Sequence, residues 1–514
     1  MPHRPAFPAF TVTRPLTATA LAAALAMFIA GCAVGPDYQR PTTTVPASYK
    51  EAPEGWKVAQ PADQTDRGTW WTVYNDERLN ELETRLNQSN QSIAQFAAAY
   101  RQARALVSEA RAAYFPTIGA AASAARSGTG AGNRSTNSSS FGQQGSVNSQ
   151  FSLSLDASWE PDLWGSVSRT VTAQKAGQQG AAADLANARL SAQATLAQSY
   201  FQLRSLDAQQ KLLDETVAAY EQSLKLTQNQ YAQGIVARSD VIQAQTQLQS
   251  AQASAIDNGV ARAQFEHAIA VLVGEPASTF SVPPIPLDAT PPTVPVQMPS
   301  AILERRPDIA SAERKAAAAN EQIGIEMAAY FPTLTLSAQG GFESSVLSQL
   351  LRAPSRFWTL GPDIAATIFD GGLRSARTEA ARAAYDQNVA TYRQTVLTAF
   401  QDVEDNLASL RILEKEIVVQ QQAVESAQQA LAIINNQYKA GTVAFISVLT
   451  AQTTAFTAQQ KLANIAGQRM VSSVGLVKAL GGGWDVAQMD RETGGVEAPA
   501  AAASAASATQ TANR

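Results

Sequence analysis

LRSARTEAARAAYDQNVATYRQTVLTAFQDVEDNLASLRILEKEIVVQQQAVESAQQALAIINNQYKA, residues 373–440, contains neither Gly nor Pro. At 1.5 Å per residue this run predicts one continuous helix about 100 Å long. Its apolar residues step by four and three through Val396, Phe400, Val403, Leu407 and Leu410, then recur at Ile417, Val424 and Leu431. That spacing is a heptad seam, so the helix packs against other helices along its length. Gly441 follows as a left-handed stop, and residues 446–480 read as a returning helix. Residues 166–233 carry the same pattern on Leu206, Leu213, Val217, Tyr220, Leu224 and Tyr231, with a stop at Gly234 and a return over 239–272. The chain therefore holds two antiparallel coiled-coil hairpins.

The two hairpins belong to a longer duplication. Ala112-Ala113-Tyr114-Phe115-Pro116-Thr117 reappears as Ala328-Ala329-Tyr330-Phe331-Pro332-Thr333, and Asn229-Gln230-Tyr231-Ala232-Gln233-Gly234 is answered by Asn436-Gln437-Tyr438-Lys439-Ala440-Gly441. Each unit opens with a helical segment (79–114; 301–330) stopped by Phe-Pro, because Pro lacks the amide donor and restricts its predecessor. Two stretches of strand character follow, 117–127 and 149–159 in the first unit, 333–342 and 357–369 in the second. Each lies near the length of a tilted membrane strand. The expected division is 1–31 signal peptide, 32–78 N-terminal and equatorial segment, 79–275 first repeat, 276–299 Pro-rich linker, 300–484 second repeat and 485–514 disordered tail.

Residues 16–30 form an apolar run after a basic, acid-free start, the pattern of an export signal and too short to span a bilayer as a helix. Ile29-Ala30-Gly31 leads directly into Cys32, the only Cys of the 514-residue chain. The segment resembles a bacterial lipobox with Cys32 as the acylated first mature residue; the alternative is a plain signal cleaved after Gly31 or Ala33. No later apolar run reaches 18 residues, so any membrane crossing rests on β-strands. With 39 basic and 43 acidic residues, a formal net charge of −4 and no basic block, the chain carries no nucleic-acid footprint. Two His and one Cys leave no constellation for nucleophilic or metal chemistry, so no enzyme, cofactor or resident metal is expected.

Four strands per chain cannot close a barrel, and an open edge cannot face lipid, so the chain must assemble. A cyclic trimer gives twelve strands and six hairpins. The order lipobox, Val34-Gly35-Pro36-Asp37-Tyr38, Trp70-Trp71, Leu303-Glu304-Arg305-Arg306-Pro307-Asp308-Ile309 and Ala479-Leu480-Gly481-Gly482-Gly483-Trp484 resembles the outer-membrane factors of tripartite efflux systems, in the OprM-like, NodT-type lipoprotein branch of the TolC superfamily. That resemblance, over about residues 32–484, implies a homotrimeric channel-tunnel. A twelve-stranded outer-membrane barrel would continue into a long helical barrel in the periplasm. It also implies a passive conduit for small molecules, including drugs and toxic compounds. A periplasmic adaptor would join it to an inner-membrane pump of the resistance-nodulation-division class.

The same resemblance carries adaptor contact onto the hairpin turns, at Tyr231, Gly234 and Val236 and at Tyr438, Gly441 and Val443. It carries a pore constriction onto Tyr438, Ile446, Thr450 and Thr453. Relatives place an acidic and a basic side chain where this chain has Thr450 and Thr453, so Arg238 and Asp240 of the first hairpin are the nearby charges. A gate weaker and less salt-sensitive than in relatives is expected. Arg305-Arg306-Pro307-Asp308 reads as a helix start with structural ion pairing. Trp70 and Trp71 read as packing, while Trp159, Trp164 and Phe357-Trp358 read as a membrane girdle. His267 reads as a packed or solvated side chain. Type I protein secretion is the alternative use of such a channel, and a periplasmic adaptor is the competing class.

Overall fold

The computed structural model describes residues 34–51, 69–128, 147–292 and 302–484. Cys32, the signal segment, most of the 128–146 loop, the 293–301 part of the linker and the C-terminal tail lie outside the described residues. Among the described residues the main elements are helices α1 (Glu77–Ser89) and α2 (Gln91–Ala112), strands β1 (Thr117–Gly128) and β2 (Val147–Trp159), and the hairpin α3 (Ser166–Ala232) and α4 (Arg238–Leu272). They continue with α5 (Pro307–Ala328), β3 (Thr333–Ser344), β4 (Arg356–Ala365), and the hairpin α6 (Leu373–Lys439) and α7 (Phe445–Ala479). Both long helices have 67 residues and both returning helices 35, so the duplication is carried into the elements.

Two compact units are present. Among the described residues the first comprises 34–39, 104–128, 147–176 and 316–387 and holds the sheet. Its four antiparallel strands run in the order β1-β2-β3-β4, and among the described residues one side of β1 and one side of β4 are unpaired. Register divides the side chains cleanly. Ile118 lies opposite Ala157, Leu155 opposite Ala120 and Gly340, Leu336 opposite Trp159 and Pro362, and Leu360 opposite Ala338. With Leu153, Phe342, Trp358 and Ile364 in phase, this face is apolar. The other face carries Ser123, Ser152, Ser154, Asp156, Ser158, Thr335, Ser337, Gln339, Glu343, Thr359 and Asp363. The apolar side chains are exposed in the single chain, Trp358 to 81% and Ile364 to 71%, which no water-soluble sheet sustains.

β4 ends at Ala365, shorter than the 357–369 expected, and Ile368 and Phe369 lie beyond it. Trp164 also departs from the expected girdle role. Its indole Nε1 donates to the Pro332 carbonyl at 2.7 Å and its ring stacks on Phe331 at 4.8 Å, so it braces the second Phe-Pro region. Trp159 donates to the Tyr114 carbonyl at 3.1 Å from the apolar face. The N-terminal strap is clamped in this unit: the Arg169 guanidinium donates to the Gly35 and Pro36 carbonyls and to Glu321 at 2.8 Å, and Asn320 donates to the Pro36 carbonyl. Gly35, at φ +114°, lies where a Cβ would come within 2.6 Å of Gly324 Cα.

Among the described residues the second unit comprises 40–51, 69–103, 177–292, 302–315 and 388–484. Leu79, Leu82 and Leu86 of α1, Tyr200 and Phe201 of α3, Ile269 of α4 and Met470 and Val474 of α7 form one core, with Trp70, Trp71 and Tyr74 packed in it. Tyr392, Val396, Phe400, Val403 and Leu407 of α6 form a second with Ile309, Leu476 and Ala479. The heptad seam is thus buried at Val396, Phe400, Val403, Leu407 and Val424 and at Leu206, Leu213 and Tyr220, half-buried at Leu410, Ile417, Leu431, Val217 and Leu224, and exposed at Tyr231. Two helical segments break where the sequence reading ran them through. Asn90 separates α1 from α2: its backbone is extended, its Oδ1 accepts from the Ile93 amide and its Nδ2 donates to the Leu272 carbonyl. Arg306, held out of the helix by Pro307, pairs with Asp308 and Asp402. Residues 281–287, expected as linker, are extended but tied down. Val282 bonds Glu266 and Arg262, Ile285 bonds Asp207, and Pro286 and Leu287 bond Arg204.

Candidate functional site

The hairpin turns are built alike. At the end of α3 the Gly234 amide donates to the Tyr231 carbonyl and the Ile235 amide to the Gln230 carbonyl, both at 2.9 Å. At the end of α6 the Gly441 amide donates to the Tyr438 carbonyl at 2.9 Å and the Thr442 amide to the Gln437 carbonyl at 3.0 Å. These paired bonds satisfy the last helical carbonyls and require a left-handed residue, supplied by Gly234 at φ +75° and Gly441 at φ +74°. A Cβ at either glycine would meet nothing within 4 Å, so backbone conformation and not packing demands glycine. Both turns then pass through an extended Ala237 or Ala444 into the returning helix.

Side chains make the two turns different. Tyr231 is 46% exposed, whereas its counterpart Tyr438 is 7% exposed, packs on Phe445 at 5.6 Å and donates its hydroxyl to Gln230 Oε1 at 2.7 Å. Phe445 and Val448 complete a cluster with Tyr438 and with Ala244 of the first hairpin. Tyr438 therefore ties the second hairpin to the first, and burial raises its phenol above the ordinary tyrosine range. Phe445 and Gln230 were not singled out in the sequence. Phe445 could have been found, because the residue at the matching position of the first turn is Arg238.

Of the expected constriction residues, Ile446, Thr450 and Thr453 fall on the first three turns of α7, Tyr438 on the last turn of α6, and Arg238 and Asp240 on the first turn of α4. Ile446 is 53% exposed in the single chain. The hydroxyls of Thr450 and Thr453 donate to the Ile446 and Leu449 carbonyls of their own helix, both at 2.9 Å, as does Thr454 to Thr450. Their donors are spent inside the helix, so the threonine stripe presents methyl groups and acceptor lone pairs. Gln247 of α4 donates to Thr453 Oγ1 at 3.3 Å, a neutral link between the hairpins. A shallow groove of about 600 Å³ runs along Thr450, Thr453, Thr454 and Thr457 beside Gln247 and Gln420. Arg238 is exposed and Asp240 half-buried, and among the described residues neither forms an ion pair. Val236 and Val443 are half-buried at the turns. His267 is exposed on α4.

The family model described as outer membrane efflux protein matches residues 83–275 and 298–482. The toluene efflux pump outer membrane protein TtgC of Pseudomonas putida is 33% identical over 479 residues, covering 91% of this chain and 96% of that protein. The pyoverdine export outer membrane protein OpmQ of Pseudomonas aeruginosa is 32% identical, covering 86% and 92%. The solved structure of the outer-membrane channel OprN superposes with a TM-score of 0.81 at 28% identity, covering 88% of this chain and all of that one.

Proposed function

Because the chain belongs to the outer membrane efflux protein family and is an outer-membrane channel component of an efflux system, we propose that three copies close one conduit, anchored by acylation of Cys32 and opened at the hairpin turns. The observation that carries this is the sheet, which has two unpaired edges and one exposed apolar face. Neither feature is stable in lipid until the edges are paired, and four strands fall short of the about eight that a small closed barrel needs. Three sheets give a twelve-stranded barrel, and six hairpins give a helical barrel.

In this reading Tyr231, Gly234, Val236, Gly441 and Val443 meet a periplasmic adaptor, and the adaptor links the channel to an inner-membrane pump of the resistance-nodulation-division class. Exposure of Tyr231 and of Ile235 (65%) at the first turn supports that contact. The resting gate is held by Ile446 packing between copies and by the Tyr438–Gln230 and Gln247–Thr453 bonds, with Arg238 and Asp240 beside it. It is a neutral gate, so it responds weakly to salt.

Planar-bilayer recording of the purified protein tests this. A low conductance that rises in Tyr438→Phe and in Ile446→Ala, with little dependence on ionic strength beyond that of the bulk solution, is expected. Equal conductance in wild type and both variants overturns the gate, and unchanged conductance in Asp240→Ala removes that residue from it.

A further inference from the structure

The duplication runs through the sheet. Thr117 opens β1 and Thr333 opens β3, each directly after Phe-Pro, so β1 answers β3 at an offset of 216 residues, from 117 to 333. Thr117 pairs with Ser158 and Thr333 with Ala365, which makes β2 answer β4 at an offset of 207, from 158 to 365. The long helices keep that second offset, α3 starting at Ser166 and α6 at Leu373. β1-β2 and β3-β4 are therefore two copies of one hairpin, and the pairing of β2 with β3 is the joint between one hairpin and the next.

That joint is a template for the two edges left open among the described residues. In it Asp156 lies opposite Gln339, Ala157 opposite Ala338, Ser152 opposite Glu343 and Phe151 opposite Ser344. Carrying β2 to β4, and β3 to the β1 of a second copy, at the same two offsets puts Asp363 opposite Ser123, Ile364 opposite Ala122, Thr359 opposite Ser127 and Trp358 opposite Gly128. Polar face then meets polar face and apolar meets apolar, whereas a slip of one residue would turn an edge over. Side chains select against a slip of two as well. The Asp363 carboxylate gains the hydroxyl of Ser123, which shares a 2.7 Å bond with Ser152, where a slip of two would give it only Ala121 or Ala125. Trp358 already lies opposite Gly340 of its own chain, and Gly128 of the next copy leaves the largest side chain of the face between two residues that have none. The row Ala120, Leu155, Gly340, Trp358 and then Gly128 of the next copy climbs β1 from 120 to 128, about 26 Å per chain, the kind of stagger that tilted strands need to close.

We propose that the β4 edge of one copy docks antiparallel on the β1 edge of the next with Asp363 opposite Ser123 and Ile364 opposite Ala122, the register of the internal β2–β3 joint repeated between chains. This docking rests on the conduit reading above and names the surface by which the copies recognise one another. Three joints inside the chains and three between them then share one geometry, so no seam of the ring differs in backbone register from the rest.

Cysteine pairs in the full-length protein test it. Thr359→Cys with Ser127→Cys probes the polar face and Ile364→Cys with Ala122→Cys the apolar face, both at Cα separations of about 4.5–5.5 Å that a disulfide spans. After oxidation, denaturing gels should show covalent two-chain and three-chain species in both, against the background of each single-cysteine variant. Thr359→Cys with Ala125→Cys, slipped by two, should give at most about one fifth as much, because diagonal neighbours lie about 7–8 Å apart. Asp363→Cys with Ser123→Cys repeats the polar-face measurement if the first pair fails to assemble. Stronger cross-linking in the slipped pair, or none in matched pairs that native mass spectrometry still finds as three chains, overturns the register and leaves the conduit intact. A wild-type protein that runs as a monomer in native mass spectrometry overturns the conduit reading itself.

Discussion

At the residue scale, the turn glycines and one buried acid make the sharpest claims. Gly234→Ala and Gly441→Ala should each cost about 1 kcal/mol, because a Cβ is disfavoured in the left-handed region even where space is open. Hydrogen exchange on the detergent-purified protein should show amides of the last turns of α3 or α6 losing protection about fivefold. Unchanged protection would mean that the turn geometry is wrong. Glu83 is fully buried in α1 with neither carboxylate oxygen hydrogen-bonded, and burial pushes its pKa from 4.5 to about 9. The folded state then holds a proton that the unfolded chain releases, so stability is highest below pH 4.5 on this account and declines as pH rises towards 9. Glu83→Gln should flatten that decline and melt at a higher temperature than wild type at about pH 8. A variant with an unaltered pH profile would place a counter-charge beside the carboxylate.

Elements were legible where their signals are local. Strand starts and helix stops fall within two or three residues of the Phe-Pro, Gly234 and Gly441 landmarks, because a missing donor or a required φ acts within one turn. The heptad seam was equally readable, since it records partners in its own spacing. What escaped was set by distant partners. At Asn90 the local signal is a helix cap, its Oδ1 accepting from the Ile93 amide, whereas the bond from its Nδ2 to the Leu272 carbonyl, far along the chain, is set by the fold. Trp164 looked like a girdle residue until Phe331 and the Pro332 carbonyl claimed it. The 281–287 segment looked free until Asp207, Arg262 and Glu266 bound it. Of the candidate site, the turns were readable from the repeat, whereas the burial of Tyr438 against an exposed Tyr231 was not, because the repeat makes them equivalent.

Two element-level outcomes follow. Leu360→Arg, on the apolar face, should cost about 2–4 kcal/mol near the bilayer midplane and lower the yield of folded protein, while Thr359→Arg, one residue away on the polar face, should be tolerated. Equal yields would refute the face assignment. Arg169→Met strands Glu321 in a buried site and should cost about 3–5 kcal/mol. Adding Glu321→Leu should recover much of that in thermal melting, although the strap carbonyls of Gly35 and Pro36 lose their donor. No recovery in the double variant would assign the loss to the strap.

For the whole molecule, the two unpaired strand edges and the exposed apolar face are requirements that one chain cannot meet. Exposed apolar side chains on the helices, among them Ile256, Ile412 and Val419, make the same demand of the hairpins. Assembly is therefore the claim on which gate, conduit and edge register all depend. Native mass spectrometry of the mature protein extracted in detergent tests it most directly. The account predicts a species of three chains, each carrying acyl mass on Cys32. A soluble, unacylated monomer would contradict it.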